Sequence, residues 1–317
     1  MTRHYDLVIV GAGTAAMTAA SRVRAEGWSV AVVDFRPFGG TCALRGCDPK
    51  KMLIAGTSAV DHVRRMRGKG VAGDAHIDWP ELMAFKRTFT DPVPQLQKRK
   101  YQDQGIDTFH GQATFTGRQT LEVDGQSLEA RYILLASGAE PVKLSIPGEE
   151  HLISNEEFLT LSSLPAHIVC VGGGYIAAEF SHIAALAGSK VTVLQHASRM
   201  LKAFEPELVG WLMEKFQALG IDVRTETTVQ GIDKTAGGYR VWTLRDGKKQ
   251  SVDADLVVHA AGRAPSFSRL NLRAGGVELA GEKLVLNEFL QSVSNPSTAS
   301  TPGFLRATKI FSNVPCD

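Results

Sequence analysis

The sequence predicts an α/β chain built from two doubly wound modules. A strand, a glycine-rich loop, a small-residue helix and a second apolar strand follow one another in that order twice, and each half closes on a strand running into a glycine turn. With 317 residues, 31 glycines and 44% hydrophobic side chains, the chain is long enough for about two cores.

Residues 6–10 (DLVIV) read as a strand buried on both faces of a parallel sheet. The chain then enters Gly11-Ala12-Gly13-Thr14-Ala15-Ala16. Here Gly11 permits the tight turn, Gly13 lets backbone approach a pyrophosphate, and Ala16 keeps helix and strand close. The pyrophosphate would rest on the positive N-terminus of the helix that follows. Residues 30–33 form the next strand and end in Asp34, where a carboxylate accepts hydrogen bonds from an adenosine ribose. In this order the elements specify a Rossmann-like dinucleotide module.

The pattern recurs from residue 168. A strand to Val171 leads into Gly172-Gly173-Gly174-Tyr175-Ile176-Ala177, a helix through Ala187 and a strand over 190–194. Gln195 then stands where the first module has its carboxylate, with His196, Arg199 and Lys202 close behind. A neutral residue there removes repulsion of a 2′-phosphate and nearby cations attract one, so NADPH is expected over NADH. Between the loops, residues 118–130 read as an antiparallel excursion turning at Asp124-Gly125. The closing strands lead into Ala136-Ser137-Gly138 and Ala261-Gly262-Arg263.

Downstream of the first loop, Gly39-Gly40-Thr41-Cys42-Ala43-Leu44-Arg45-Gly46-Cys47-Asp48-Pro49-Lys50-Lys51 spaces two cysteines five residues apart. In a regular helix that step rises about 7.5 Å, beyond the roughly 7 Å a disulfide tolerates. Pairing therefore requires a backbone break, for which Gly46 supplies slack and Pro49 interrupts hydrogen bonding. Taken alone the spacing also fits two buried, unpaired thiols. Asp48 puts a carboxylate beside Cys47, which disfavours a thiolate unless Arg45 or a lysine offsets it.

Composition excludes several classes. A net charge of +2 and basic runs in helix-like polar segments give no nucleic-acid surface. Four cysteines are too few for a secreted disulfide scaffold and fit a reducing cytoplasm. No stretch approaches the ~20 apolar residues of a membrane span. Cys42 and Cys47 lack a second pair or histidine cluster, so no metal site is expected. Cys170, inside an apolar strand, reads as packing.

Together GAGTAA, Asp34, GGTCALRGC with its lysines, ASGAEP, GGGYIAAEF and AGRAP resemble the flavin-dependent pyridine nucleotide-disulfide oxidoreductases, which include glutathione reductase, dihydrolipoamide dehydrogenase and mercuric reductase. The resemblance implies FAD in the first module and NAD(P)H in the second. Gly40, Thr41, Ser137, Gly138, Gly262 and Arg263 then join the cofactor-binding set. Cys47 is implied as the thiol beside the flavin, and Cys42 as the interchange thiol that attacks a small-molecule or protein disulfide. Lys50 or Lys51 is implied to approach the flavin and pair with Glu179, a buried lysine needing a carboxylate partner. Tyr175 is implied to cover the flavin face or, as a packing residue, to begin the helix.

The likeness fades near residue 298. The stretch from Thr298 to Lys309 reads as irregular, without the family's glycine-aspartate turn. None of the nine histidines sits in the family's His-Pro-Thr motif, and Cys316 stands alone, which disfavours mercuric ion as acceptor. The expectation is a truncated member without the dimerisation domain, monomeric where the family is a homodimer. Its FAD-binding domain is residues 1–150 continued by 284–317, and its NAD(P)H-binding domain residues 151–283. The alternatives are an inactive nucleotide-binding remnant and a diaphorase passing electrons from NAD(P)H to quinones or oxygen.

Overall fold

The computed structural model describes residues 2–281 and 283–301. Its elements begin with β1 (Arg3–Val10), α1 (Thr14–Ala25), β2 (Val30–Asp34), α2 (Gly40–Arg45), α3 (Cys47–Met66), α4 (Trp79–Thr90) and α5 (Val93–Asp103). Next come β3 (Asp107–His110), β4 (Ala113–Gly117), β5 (Thr120–Val123), β6 (Gln126–Leu135), β7 (Ala139–Pro141) and the short α6 (Asn155–Phe158). Then follow β8 (His167–Val171), α7 (Tyr175–Leu186), β9 (Lys190–Leu194), α8 (Pro206–Ala218) and β10 (Asp222–Arg224). The last are β11 (Thr228–Thr235), β12 (Gly238–Arg245), β13 (Lys248–Ala254), β14 (Leu256–His259), β15 (Arg263–Pro265), β16 (Leu279–Ala280), β17 (Lys283–Leu284) and β18 (Thr298–Ser300).

These elements fall into two compact units. The first takes the described parts of Met1–Leu44, Thr90–Glu140 and Ala264–Asp317; the second is Arg45–Phe89 with Pro141–Arg263. Both are α/β.

In the first unit the sheet order is β3-β2-β1-β6-β5-β4, with β18 also on β6. The pairs β3-β2, β2-β1, β1-β6 and β6-β18 are parallel, whereas β4, β5 and the start of β6 form an antiparallel meander. Alternation along the strands decides which layer each residue enters. Leu7 and Ile9 of β1 join Ala16, Ala19 and Ala20 of α1 and Tyr101 of α5 on one face. Val8 and Val10 join Phe115 and Leu121 of the meander on the other. The meander turns at Asp124 and Gly125, both with positive φ, as a tight hairpin requires.

The second unit repeats the plan with a parallel sheet β10-β9-β8-β14 and a separate antiparallel sheet β11-β12-β13. Ile168 and Cys170 face Phe180 of α7, Phe216 of α8 and Leu53 of α3. Val169 and Val171 face Ile232 and Val241 of the antiparallel sheet. The α3–α4 segment thus buries Leu53, Trp79 and Met83 in this unit's core, although it follows the first glycine loop in sequence.

The stretch from Thr298 differs from its expected irregularity. It opens with β18, in register with β6 as Thr298↔Ile133, Ala299↔Leu134 and Ser300↔Leu135. Thr298 and Ser300 are buried. Their small polar side chains show no apolar alternation, so the strand is set by the open edge of β6 and not by local pattern. Residues 302–317, including Cys316 and the rest of that stretch, lie outside the described residues.

Candidate active site

In the first unit the chain turns at Gly11 with φ +110°, and a Cβ there would stand 2.2 Å from the Ala136 carbonyl oxygen at the end of β6. Asp34 accepts hydrogen bonds from the N–H of Ala12 at 2.8 Å and of Arg36 at 2.9 Å. Its carboxylate therefore holds the loop across the ends of β1 and β2. Gly13 is the N-cap of α1 and offers no side-chain cap, which leaves that helix N-terminus open, with Ala16 buried behind it. Gly40, buried at the start of α2, lies against the same loop: a Cβ on it would be 2.3 Å from Gly13 Cα. Thr41 beside it is exposed.

After β6, the Ser137 Oγ is buried without a hydrogen-bond partner among the described residues, and Gly138 follows with open space around it. Tyr101 is fully buried against Phe38, and burial, with the Asp34 charge adding to it, pushes its phenol up to about 12. A wall of glycines, an open helix end, a loop-gripping carboxylate and an orphaned buried hydroxyl fit the pyrophosphate and ribose of FAD.

The cysteine segment breaks at Gly46. Its φ of −153° and ψ of −104° separate α2 from α3, the break that the cysteine spacing demands of a pair. Pro49 falls in the first turn of α3, where its missing N–H costs no helical bond, so it does not interrupt the helix as the sequence suggested. Cys42 and Cys47 are each partly buried, and Asp48 is exposed. Lys50, three residues after Cys47, donates from Nζ to Glu179 Oε1 of α7 at 2.5 Å, whereas Lys51 is exposed. Both partners of the Lys50–Glu179 pair are mostly removed from solvent. Tyr175 opens α7 and is 53% exposed.

In the second unit Gly172, with φ +104°, abuts the end of β14; a Cβ there would be 2.5 Å from the Ala260 carbonyl. Gly174 is the N-cap of α7, again without a side-chain cap. Gln195 is buried; its Oε1 accepts from the Gly173 N–H at 3.1 Å and its Nε2 donates to the Arg199 carbonyl at 3.1 Å. The Arg199 guanidinium donates to the carbonyls of Lys202 and Phe204, so the loop's own backbone engages it. His196 and Lys202 are exposed.

Gly262 keeps a positive φ in the turn after β14. Arg263 is held inside the unit: Nη1 donates to Asn155 Oδ1 at 2.8 Å, and Nη2 lies 3.9 Å from Glu156 Oε1. Glu156 also faces Arg45 Nε at 3.6 Å. Sequence reasoning passed over Asn155 and Glu156. The signal that marks their position is the capping box of Ser154 and Glu157 around them. Cys170 is fully buried and burial pushes its thiol up to about 11, which fits a packing role. Among the described residues no group of three or more His, Cys, Asp or Glu could hold a metal ion, and no helix is long and apolar enough to cross a membrane.

Residues 5–297 match the model of the pyridine nucleotide-disulphide oxidoreductases, and the chain belongs to that family. It is 32% identical over 300 residues to mercuric reductase of Staphylococcus aureus, across 92% of this chain and 54% of that protein. It is 30% identical to glutathione reductase of a Nostoc species, across 88% of this chain and 61% of the relative. Among solved structures, the HOCl-induced flavoprotein disulfide reductase RclA from Escherichia coli superposes with a TM-score of 0.80 at 26% identity, over 94% of this chain and 65% of that one. The chain thus spans between half and two thirds of the length of these relatives. The family is FAD-dependent and works with NAD(P)H.

Proposed function

We propose that this chain is a cytoplasmic flavoprotein oxidoreductase in which electrons pass from NAD(P)H, with NADPH preferred, through FAD to a Cys42–Cys47 disulfide and on to a disulfide or similar two-electron acceptor. The observation that carries the reading is the Lys50–Glu179 pair, one turn into the helix that Cys47 opens. A cation held at that depth needs its carboxylate, and held there it favours negative charge on a neighbouring thiolate and on a reduced ring.

Gly11, Gly13, Gly40, Asp34 and Ser137 would hold FAD, which when bound supplies a two-electron relay between a nicotinamide hydride and a disulfide. The remaining steps belong to the chain. Two electrons and two protons convert the Cys42–Cys47 disulfide to two thiols. The Cys42 thiolate attacks one sulfur of the acceptor, forming a mixed disulfide and releasing the other acceptor sulfur as a thiolate that takes up a proton. Cys47 then attacks Cys42, restores the internal disulfide and releases the second thiol. Gly172, Gly174 and the α7 N-terminus would bind the nicotinamide nucleotide. The NADPH preference is supported by an amide at Gln195 in place of a carboxylate, with His196 and Lys202 exposed on the loop that follows.

The test is the visible spectrum of the purified protein during anaerobic titration with NADPH. Bleaching of the flavin bands with a long-wavelength band that disappears in Cys47→Ser, and disulfide reduction that disappears in Cys42→Ser, are the expected results. A protein without flavin, or NADPH oxidation indifferent to both substitutions, would falsify the disulfide route; the second outcome selects diaphorase chemistry.

A further inference from the structure

Around the break at Gly46 the second unit builds a polar cluster that the proposed electron path does not use. Arg45, the last residue of α2, Glu156 of α6 and Arg263 after β14 have side chains only 16%, 17% and 14% exposed. Asn155 is 6% exposed and joins the two arginines: Oδ1 accepts from Arg263 Nη1 at 2.8 Å, and Nδ2 donates to the Arg45 carbonyl at 3.2 Å. That carbonyl is among those at the end of α2 that no helical amide can reach. The platform presenting Asn155 and Glu156 is itself fixed. Ser154 and Glu157 cap each other reciprocally, Ile153 exchanges backbone bonds with Val257 and His259 of β14, and Phe158 is fully buried against Phe180 of α7.

A four-residue helix needs no such anchorage for its own sake, and two guanidinium groups taken from water around one carboxylate are costly unless their geometry is held. The cluster ends on the residue two before Cys47. We propose that Asn155 and Glu156 are positioning residues for Cys47: through Arg45 they fix the backbone at Gly46, and so set how readily Cys47 closes a disulfide with Cys42. The inference rests on the reading of those two cysteines as a redox pair. Neither Asn155 nor Glu156 is asked to touch a reacting atom. A fixed break keeps the effective concentration of one thiol at the other high; a loose one lowers it.

The experiment is the thiol–disulfide equilibrium of the purified protein in glutathione buffers of graded ratio, read by mass spectrometry of trapped thiols at Cys42, Cys47 and Cys170. It is carried out on the unaltered protein, Asn155→Ala and Glu156→Gln. The expected result is a Cys42–Cys47 disulfide in the unaltered protein and an equilibrium constant about tenfold lower in each variant, or about 30 mV. Cys170, fully buried, stays untrapped in all three; its trapping in a variant reports general unfolding, and the variant that keeps it protected then decides. Equal equilibria in protected variants overturn the positioning role. Absence of the disulfide in the unaltered protein overturns the redox pairing and the inference with it.

Discussion

The two glycine loops do the same mechanical work with different chemistry. Asp34 ends β2 and Gln195 directly follows β9, and each accepts a hydrogen bond from the middle residue of its loop, Ala12 in one and Gly173 in the other. The carboxylate accepts a second backbone N–H from Arg36, whereas the amide turns its donor to the Arg199 carbonyl. Loop restraint therefore needs an acceptor at this point and not a charge. What differs is the charge left over: Asp34 carries a negative charge that would favour a ribose hydroxyl, while Gln195 carries none that would repel a phosphate.

Substituting the turning glycines gives the largest effect and tests whether the two loops are independent. Gly11→Ala forces a Cβ into the Ala136 carbonyl and is expected to yield protein without flavin absorbance. Gly172→Ala forces one into Ala260 and is expected to abolish NADPH binding by calorimetry while flavin is retained. Loss of flavin in both variants would break the comparison.

Exchanging the acceptors gives a smaller effect. Asp34→Ala removes two hydrogen bonds to a charged group, each worth about 1.5–3 kcal/mol, and should weaken flavin retention at least tenfold in equilibrium dialysis. Gln195→Glu keeps the loop bond but restores a charge, and should move the NADH-to-NADPH ratio of kcat/KM toward NADH by about tenfold. An unchanged ratio would detach Gln195 from nucleotide choice.

The smallest effect distinguishes the units by acid. Burial lowers the pKa of His167, with Lys190 and Arg224 adding to it against Asp255. Burial and Lys215 do the same to His182 against Asp61. In both, the folded state disfavours the charged form, so the unfolded chain binds more protons around and below the ordinary histidine value of about 6.5. The stability they contribute is present above that value and is lost as pH falls through it toward the lower folded values. Thermal melting should shift downward between about pH 7.5 and 5.5, and His182→Gln should flatten part of that slope. A melting temperature indifferent to pH across the window would refute it.

Residues that act on their sequence neighbours were the legible ones. The glycine loops, β1, β2, β8 and β9, the Asp124-Gly125 turn and the break at Gly46 all follow from patterns within a few residues. The cysteine motif and its glutamate could be named, but which lysine meets Glu179 depends on the rotation of α3 against α7, and structure alone pairs Lys50. Three features were hidden for the same physical reason. The burial of α3 and α4 in the second core, the pairing of β18 with β6, and the Arg45–Asn155–Glu156–Arg263 cluster all join residues more than 70 positions apart. The motif names Arg263 as a cofactor contact, but nothing near it in sequence points to Asn155 and Glu156 of α6, which the structure places among its partners.

The interleaving of the two units carries a consequence for synthesis. β6 finds one parallel neighbour in β1 and the other in β18, more than 160 residues later. As the chain leaves the ribosome, the second unit has all its pieces by Arg263, while the first still waits for residues beyond it to close its sheet. Because loop closure over such separations is slow, the module encoded first is completed last, and until then the edge of β6 that β18 will cover stands open to mispairing.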